Sequence, residues 1–216
     1  MKIIKPDNAY KGTRILLGNE KRDLLDKMIT ILRKEGFTEI QVPNIQYRDL
    51  FKNKVGIENT SMMFGVKDNS DRDLVLAPEY TAVIQQLAST YFKQQKDVKL
   101  FYILECYRGE KPQAGRYRQF TQLGVEILNP SKDYLNNLIY NARQLITNNF
   151  SEDFDYQKMP YAVSVGVQRG LDYYTKGQGF EISCDQLGSQ KQICGGGAYE
   201  GGIGFAIGID RLLLLQ

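Results

Sequence analysis

The chain has 216 residues, 42% of them hydrophobic and 25% charged, with a formal net charge of +3. That length suits a single domain with a sizeable core, and the composition is that of a globular chain, not a disordered or fibrous one. Histidine is absent, which removes Ser-His-Asp and Cys-His catalysis and zinc–histidine sites and leaves carboxylates, arginines, tyrosines or a supplied metal ion to carry any chemistry.

Residues 1–17 read as irregular, and the opening MKIIKPDNAY lacks the long apolar region of a secretory signal. Asn19–Glu35 follows with Leu24, Leu25, Met28, Ile29, Ile31 and Leu32 at helical spacing, Asn19 placed to cap the start and Gly36 where a helix stops. Phe37–Asn44 reads as a strand ended by Pro43, and Tyr47–Lys54 as a short amphipathic segment. Met62–Val66 and Leu74–Leu76 are apolar strands around the polar turn Lys67–Asp73. Pro78 and Glu79 are ordinary helix-start residues, and the helix they open is expected over Thr81–Lys93.

Leu100–Tyr107 and a run from near Arg118 to Ile127 form the next pair, joined by a loop with Gly109, Pro112 and Gly115, a long-looped hairpin. The second strand alternates. Thr121, Leu123, Val125 and Ile127 form the face a sheet buries against helices, while Phe120, Gln122, Gly124 and Glu126 make a floor for a polar ligand with a flat ring. The loop offers Arg108, Lys111, Arg116 and Arg118, charges suited to an anionic ligand.

Lys132–Phe150 carries an apolar stripe at helical period, Ser151–Met159 is a polar linker, and Tyr161–Val167 a strand. The strand delivers QRGLDYYT, where Arg169 can reach an anionic group and Tyr173 and Tyr174 can line a pocket for an aromatic, hydrogen-bonding side chain. Gly179–Asp185 is a further strand, Gly195–Gly197 permits close backbone approach to a ligand, and GFAIGIDRLLLL closes as strand and helix. Cys106, Cys184 and Cys194 are odd in number and lack metal-ligand spacing, so reduced thiols and a cytoplasmic location are expected. No apolar run nears the ~20 residues of a membrane span.

Several of these segments together resemble the class II aminoacyl-tRNA synthetases, in their histidyl form. Arg108, Glu110, Pro112, Gln113, Gly115, Arg116, Arg118, Phe120, Gln122, Gly124 and Glu126 stand at the spacing of motif two. GFTEIQVPNIQYRDLF is similar to motif one, RGLDYY and GGGAYEG to the two histidine-specific motifs, and the closing segment to motif three. Leu76-Ala77-Pro78-Glu79-Tyr80-Thr81 resembles the family's L-R-P-E-G-T but departs from it at Ala77 and Tyr80, and Thr121 stands where the family often has histidine.

The resemblance implies an α+β fold, an antiparallel β-sheet flanked by helices, in a single domain over residues 1–216. The family's insertion between motif two and the next motif, and its anticodon-binding domain, are expected to be lacking. It implies ATP-dependent activation of histidine to histidyl-adenylate, as in a histidine–tRNA ligase, with ATP and Mg2+ bound, tRNA as the further acceptor, and a homodimer formed through motif one. Arg108 and Arg169 would stabilise charge at the α-phosphate and carboxylate, Arg211 would hold the distal phosphates, and Glu110, Arg116 and Phe120 would complete the ATP site, with Phe120 stacked on adenine. Glu79, Thr81 and Gln122 would take the α-amino group, while Glu126, Tyr173 and Tyr174 would recognise the imidazole. Lys111, Arg116 and Arg118 would meet phosphates of the tRNA acceptor end. No metal ligand can be assigned from the motifs. The alternative is a non-catalytic, histidine-sensing regulatory subunit whose partner is the catalytic subunit of ATP phosphoribosyltransferase.

Overall fold

A ten-residue antiparallel hairpin forms the middle of the structure, a computed structural model that describes residues 2–4, 10–52, 60–113, 115–147, 161–167, 174–188 and 191–215. Its strands are β7 (Val98–Tyr107) and β8 (Gln119–Leu128), paired without a bulge from Val98↔Leu128 to Tyr107↔Gln119. Numbering the described strands in chain order, the earlier ones are β1 (Lys2–Ile4), β2 (Ile15–Leu17), β3 (Thr38–Glu39), β4 (Ile45–Tyr47), β5 (Gly65–Val66) and β6 (Leu74–Leu76). After the hairpin come β9 (Tyr161–Val165), β10 (Tyr174–Cys184), β11 (Gln192–Tyr199) and β12 (Gly202–Gly208). The large sheet has the order β3-β7-β8-β12-β11-β10-β9, with smaller sheets β1-β2 and β4-β6-β5.

The expected antiparallel sheet holds with one correction: the edge pair β3–β7 is parallel, so the sheet is mixed. The strand expected over Phe37–Asn44 shrinks to Thr38–Glu39 because parallel pairing reaches only Leu100 and Phe101 before the chain heads towards Pro43. Residues 2–4 and 15–17 pair as a hairpin where irregular chain was expected. The Thr81 helix stops at Ser89, and the next described helix spans Leu135–Thr147. The linker expected over Ser151–Met159 lies outside the described residues.

Strand parity sorts the side chains of the sheet into two cores. Phe101 on β7 and Leu123, Val125 and Ile127 on β8 pack with Leu24, Met28 and Leu32 of the Glu20–Lys34 helix and with Leu138, Ala142 and Leu145 of the Leu135–Thr147 helix. Leu100, Tyr102 and Cys106 on β7, with Leu128 on β8, pack on the opposite face against Ala82, Val83, Ile84 and Ala88 of the Thr81–Ser89 helix. Burying a large aliphatic side chain in either layer stabilises the fold by about 1.5–3 kcal/mol. The second layer covers only part of its face, and where it stops the polar residues of β8 begin.

Candidate functional site

The polar row of β8 starts at Glu126, which is fully buried. Thr81 Oγ1 donates to Glu126 Oε1 at 3.1 Å, and the Tyr199 hydroxyl donates to Oε2 at 2.7 Å. Those groups come from a helix start and from β11, so three distant segments meet on one carboxylate. Gly204 of β12, opposite Glu126 in register, makes room for it, since a methyl at Gly204 would collide with the carboxylate. Among the described residues no cation pairs with Glu126. Burial pushes its pKa up to about 8, the two hydroxyls pull it down, and the Glu79 carboxylate nearby adds to the rise.

Tyr174 stands opposite Tyr199 in the β10–β11 ladder, with ring centroids 6.5 Å apart and edge to face. It therefore reaches the Glu126 group by way of Tyr199. Tyr199 lies in GGGAYEG, but its role was missed because the parity of β11 shows only once β11 is paired with β10. Arg169 and Tyr173 lie outside the described residues.

Glu79 is buried and accepts from the Ala82 N–H at 3.1 Å, so it begins the Thr81–Ser89 helix as its position in the sequence suggests. Gln122 sits two residues along β8 from Gly124 and accepts from the Cys106 thiol at 3.0 Å. Tyr80, where the resembling family has glycine, is fully buried. Its hydroxyl lies 2.6 Å from Asn44 Oδ1 and 2.9 Å from the Glu105 carbonyl. Its ring rests 5.6 Å from that of Tyr102, which in turn covers Gly124.

At the other end of the row, Phe120 has the Arg108 guanidinium 5.1 Å from its ring centroid. Arg108 Nε donates to the Pro78 carbonyl at 2.9 Å, tying the strand end to the loop before Glu79. Glu110 is buried and bonds Arg116, with Arg108 NH1 3.9 Å away. Gln113 and Arg116 exchange backbone hydrogen bonds across a tight turn, in which Gly115 takes a φ of 73°. Arg211, on the short Ile209–Leu212 helix after β12, donates to the Gly115 carbonyl at 2.8 Å and to the Gln192 carbonyl at 2.7 Å. Burial lowers its pKa first, and the charges of Arg108 and Arg116 lower it further, so the three guanidiniums share one small region. Among the described residues, the Glu110 carboxylate bonds Arg116 and lies near Arg108, and the Glu181 carboxylate acts on Arg211.

The structure thus brings Arg108, Glu110, Arg116, Phe120 and Arg211 into a cationic half, and Glu79, Thr81, Glu126 and Tyr174 into an acidic and phenolic half, with Gln122 between them on β8. An anion fits the first half. A cationic, hydrogen-bonding group fits the second. Among the described residues no three carboxylate or cysteine side chains cluster as a metal site.

A family model described as histidyl-tRNA synthetase matches residues 18–139. Among curated relatives, the histidine–tRNA ligase of Archaeoglobus fulgidus is 29% identical over an alignment of 315 positions that takes in 98% of this chain and 76% of the relative. That of Clostridioides difficile is 29% identical over 99% of this chain and 72% of its own length. Both alignments are longer than the 216-residue chain, so these relatives carry stretches inside the matched range that have no counterpart here. Among solved structures, the apo histidyl-tRNA synthetase of S. aureus superposes with a TM-score of 0.73 at 25% identity, covering 96% of this chain and 69% of that one. A Bacillus halodurans protein described as an ATP phosphoribosyltransferase regulatory subunit/histidyl-tRNA synthetase superposes at 0.75 with 17% identity, covering 98% and 84%, which bears on the fold alone.

Proposed function

The chain belongs to the histidyl-tRNA synthetase family and carries its class II fold, and from that premise we propose that it activates histidine with ATP and that tRNA is the acceptor. The observation that carries this reading is the convergence of three guanidiniums, Arg108, Arg116 and Arg211, beside the ring of Phe120, with the carboxylates of Glu110 and Glu181 as their described counter-charges. Positive charge in excess of its buried counter-charge suits a polyphosphate, and an adjacent aromatic ring suits a base.

In the proposed reaction the histidine carboxylate attacks the α-phosphorus of ATP, a P–O bond forms, and pyrophosphate leaves. The nucleophile is already anionic, so no general base is required, which agrees with a chain without histidine. Arg108 stabilises charge at the α-phosphate, and Arg169 is assigned the same role through the family resemblance. Arg116 and Arg211 take the distal phosphates, and Phe120 stacks on adenine. Glu79, Thr81 and Gln122 receive the α-ammonium, while Glu126, Tyr173 and Tyr174 receive the imidazole. Magnesium would arrive on the ATP phosphates, since that ion is commonly held by one or two carboxylates plus substrate oxygens. Lys111, Arg116 and Arg118 are assigned the phosphates of the tRNA acceptor end through the family resemblance, and Arg118 also donates to the Glu110 and Lys11 carbonyls. Cys106, Cys184 and Cys194 are buried and joined by no disulfide among the described residues, in keeping with the proposed cytoplasmic setting.

Histidine-dependent exchange between ATP and pyrophosphate tests the proposal. Exchange is expected in the parent chain and should fall by about 10²–10³-fold in Arg108→Ala and Arg211→Ala. Histidine binding without any exchange would sink it in favour of a histidine-sensing regulatory subunit. One feature points that way: both described Arg211 hydrogen bonds already end on carbonyls of the chain. Exchange without aminoacylation of purified tRNA would instead mark an activating enzyme with a different acceptor.

A further inference from the structure

Arg14 is an expensive residue to bury. Its side chain is 8% exposed, it bonds Asp210, and among the described residues nothing accepts from its Nε or NH1. A buried pair that leaves donors unpaired commonly stabilises a fold less than an apolar side chain of the same shape. The partners of Arg14 indicate what it does in return. The second Asp210 oxygen accepts from the Thr121 N–H, and Thr121 lies between Phe120 and Gln122 on β8. Asp210 immediately precedes Arg211. The Arg14 guanidinium also lies 3.4 Å from the ring centroid of Tyr117, in the loop that carries Arg116.

The residues just before Arg14 grip the same loop. The Arg118 N–H donates to the Gly12 carbonyl at 2.9 Å, Arg118 NH1 donates to the Lys11 carbonyl at 3.1 Å, and the Arg118 guanidinium sits 5.0 Å from the Tyr10 ring centroid. Gly12 holds a φ of 91°, and a methyl there would fall 2.7 Å from Pro112 and 2.9 Å from the Arg118 side chain. Tyr10–Arg14 is therefore fitted against the loop at van der Waals distance.

We propose that Tyr10–Arg14 is a strap that sets the Lys111–Arg118 loop against the Arg211 helix, with Arg14 as the positioning residue for ATP. Arg14 touches neither the Glu126 group nor Glu79, so its effect falls on the nucleotide half of the site. This rests on the proposed reading of that half.

The test compares Arg14→Met, which keeps the length and apolar stem but leaves the buried Asp210 carboxylate with the Thr121 N–H as its described partner, with Arg14→Lys, which keeps a cation for Asp210, and with the parent chain. Arg14→Met should keep a cooperative unfolding transition and an unchanged dissociation constant for histidine alone. It should raise the KM for MgATP in histidine-dependent exchange by about 10–100-fold, the range typical of misplacement at a distance. Arg14→Lys should recover part of that loss through Asp210. Amide hydrogen exchange over residues 113–119 is read in parallel and should speed up in Arg14→Met. An Arg14→Met chain with the parent's KM and loop protection overturns the strap. If the parent itself shows no exchange reaction, the proposed activity fails, and loop protection still decides the strap.

Discussion

Glu126 shows how far one buried carboxylate departs from its solution behaviour. Its folded-state pKa of about 8 lies above the usual 4.5, with burial as the first cause. Between those values the unfolded chain has released a proton that the folded chain keeps. The contribution of Glu126 to stability is thus full below about pH 4.5 and is lost as pH rises through about 8. Glu126→Gln does not titrate and keeps an acceptor for one of the two hydroxyls. Its stability relative to the parent should therefore improve between about pH 5 and about pH 8, by on the order of a few kcal/mol. Urea unfolding midpoints at the two pH values measure this, and a pH-independent difference would show that the carboxylate is ionised throughout. The same variant should lose histidine binding under the proposed function.

Residue identities of this kind were visible in the sequence as spacing. Phe120, Gln122 and Glu126 share a face because a strand has a period of two, and that requires no knowledge of the partners. Arg14 was not visible, because its meaning depends on Asp210, a contact across 196 positions.

At the level of elements, two asparagines with similar local credentials behave differently. Asn19 precedes the Glu20–Lys34 helix as a capping residue should, yet its backbone is helical (φ −94°, ψ −10°) and its side chain makes no capping bond. Asn129 follows β8 with a φ of 49°, and its Nδ2 donates to the Ala88 and Phe92 carbonyls at 3.2 and 2.8 Å, closing the end of the Thr81–Ser89 helix. Asn19→Ala should therefore change stability by no more than about 0.5 kcal/mol. Asn129→Ala should cost about 1–2 kcal/mol, through lost bonds and a left-handed backbone that alanine disfavours. Chemical denaturation of both variants checks the contrast, and equal losses would contradict it.

The elements that were legible are long and strongly patterned, such as β7, β8 and the Glu20–Lys34 helix. Those misread are short or set by a partner. Three residues each in β1 and β2 show no period, and β3 ends after two parallel pairs with β7, at Leu100 and Phe101.

For the whole molecule, the expected dimer centres on β4. It is an edge strand of its sheet, and Ile45 and Tyr47 are 50% and 57% exposed beside a groove of about 570 Å³ whose lining includes Ile40, Val42, Leu74 and Val83 together with Asp68 and Arg72. This is the segment that resembles motif one, and the occupant expected is a second copy of the chain. Light scattering at micromolar concentrations should give twice the chain mass, and Tyr47→Lys should shift the population towards monomer by burying a charge in the interface. A monomeric parent across that range would refute the dimer.

The order of the large sheet has one more consequence. β8 pairs with β12 from Gln122↔Gly208 to Leu128↔Gly202, and Asp210 bonds the Thr121 amide, so the two halves of the candidate site are joined across some eighty residues of chain. Such distant pairing closes a large loop before any contact rewards it, and it slows folding. During synthesis the β7–β8 hairpin can form early, but its outer edge stays open until β12 has been made. For that interval a ribosome-bound chain presents an unpaired, largely apolar strand edge, the form most exposed to mispairing with another nascent chain.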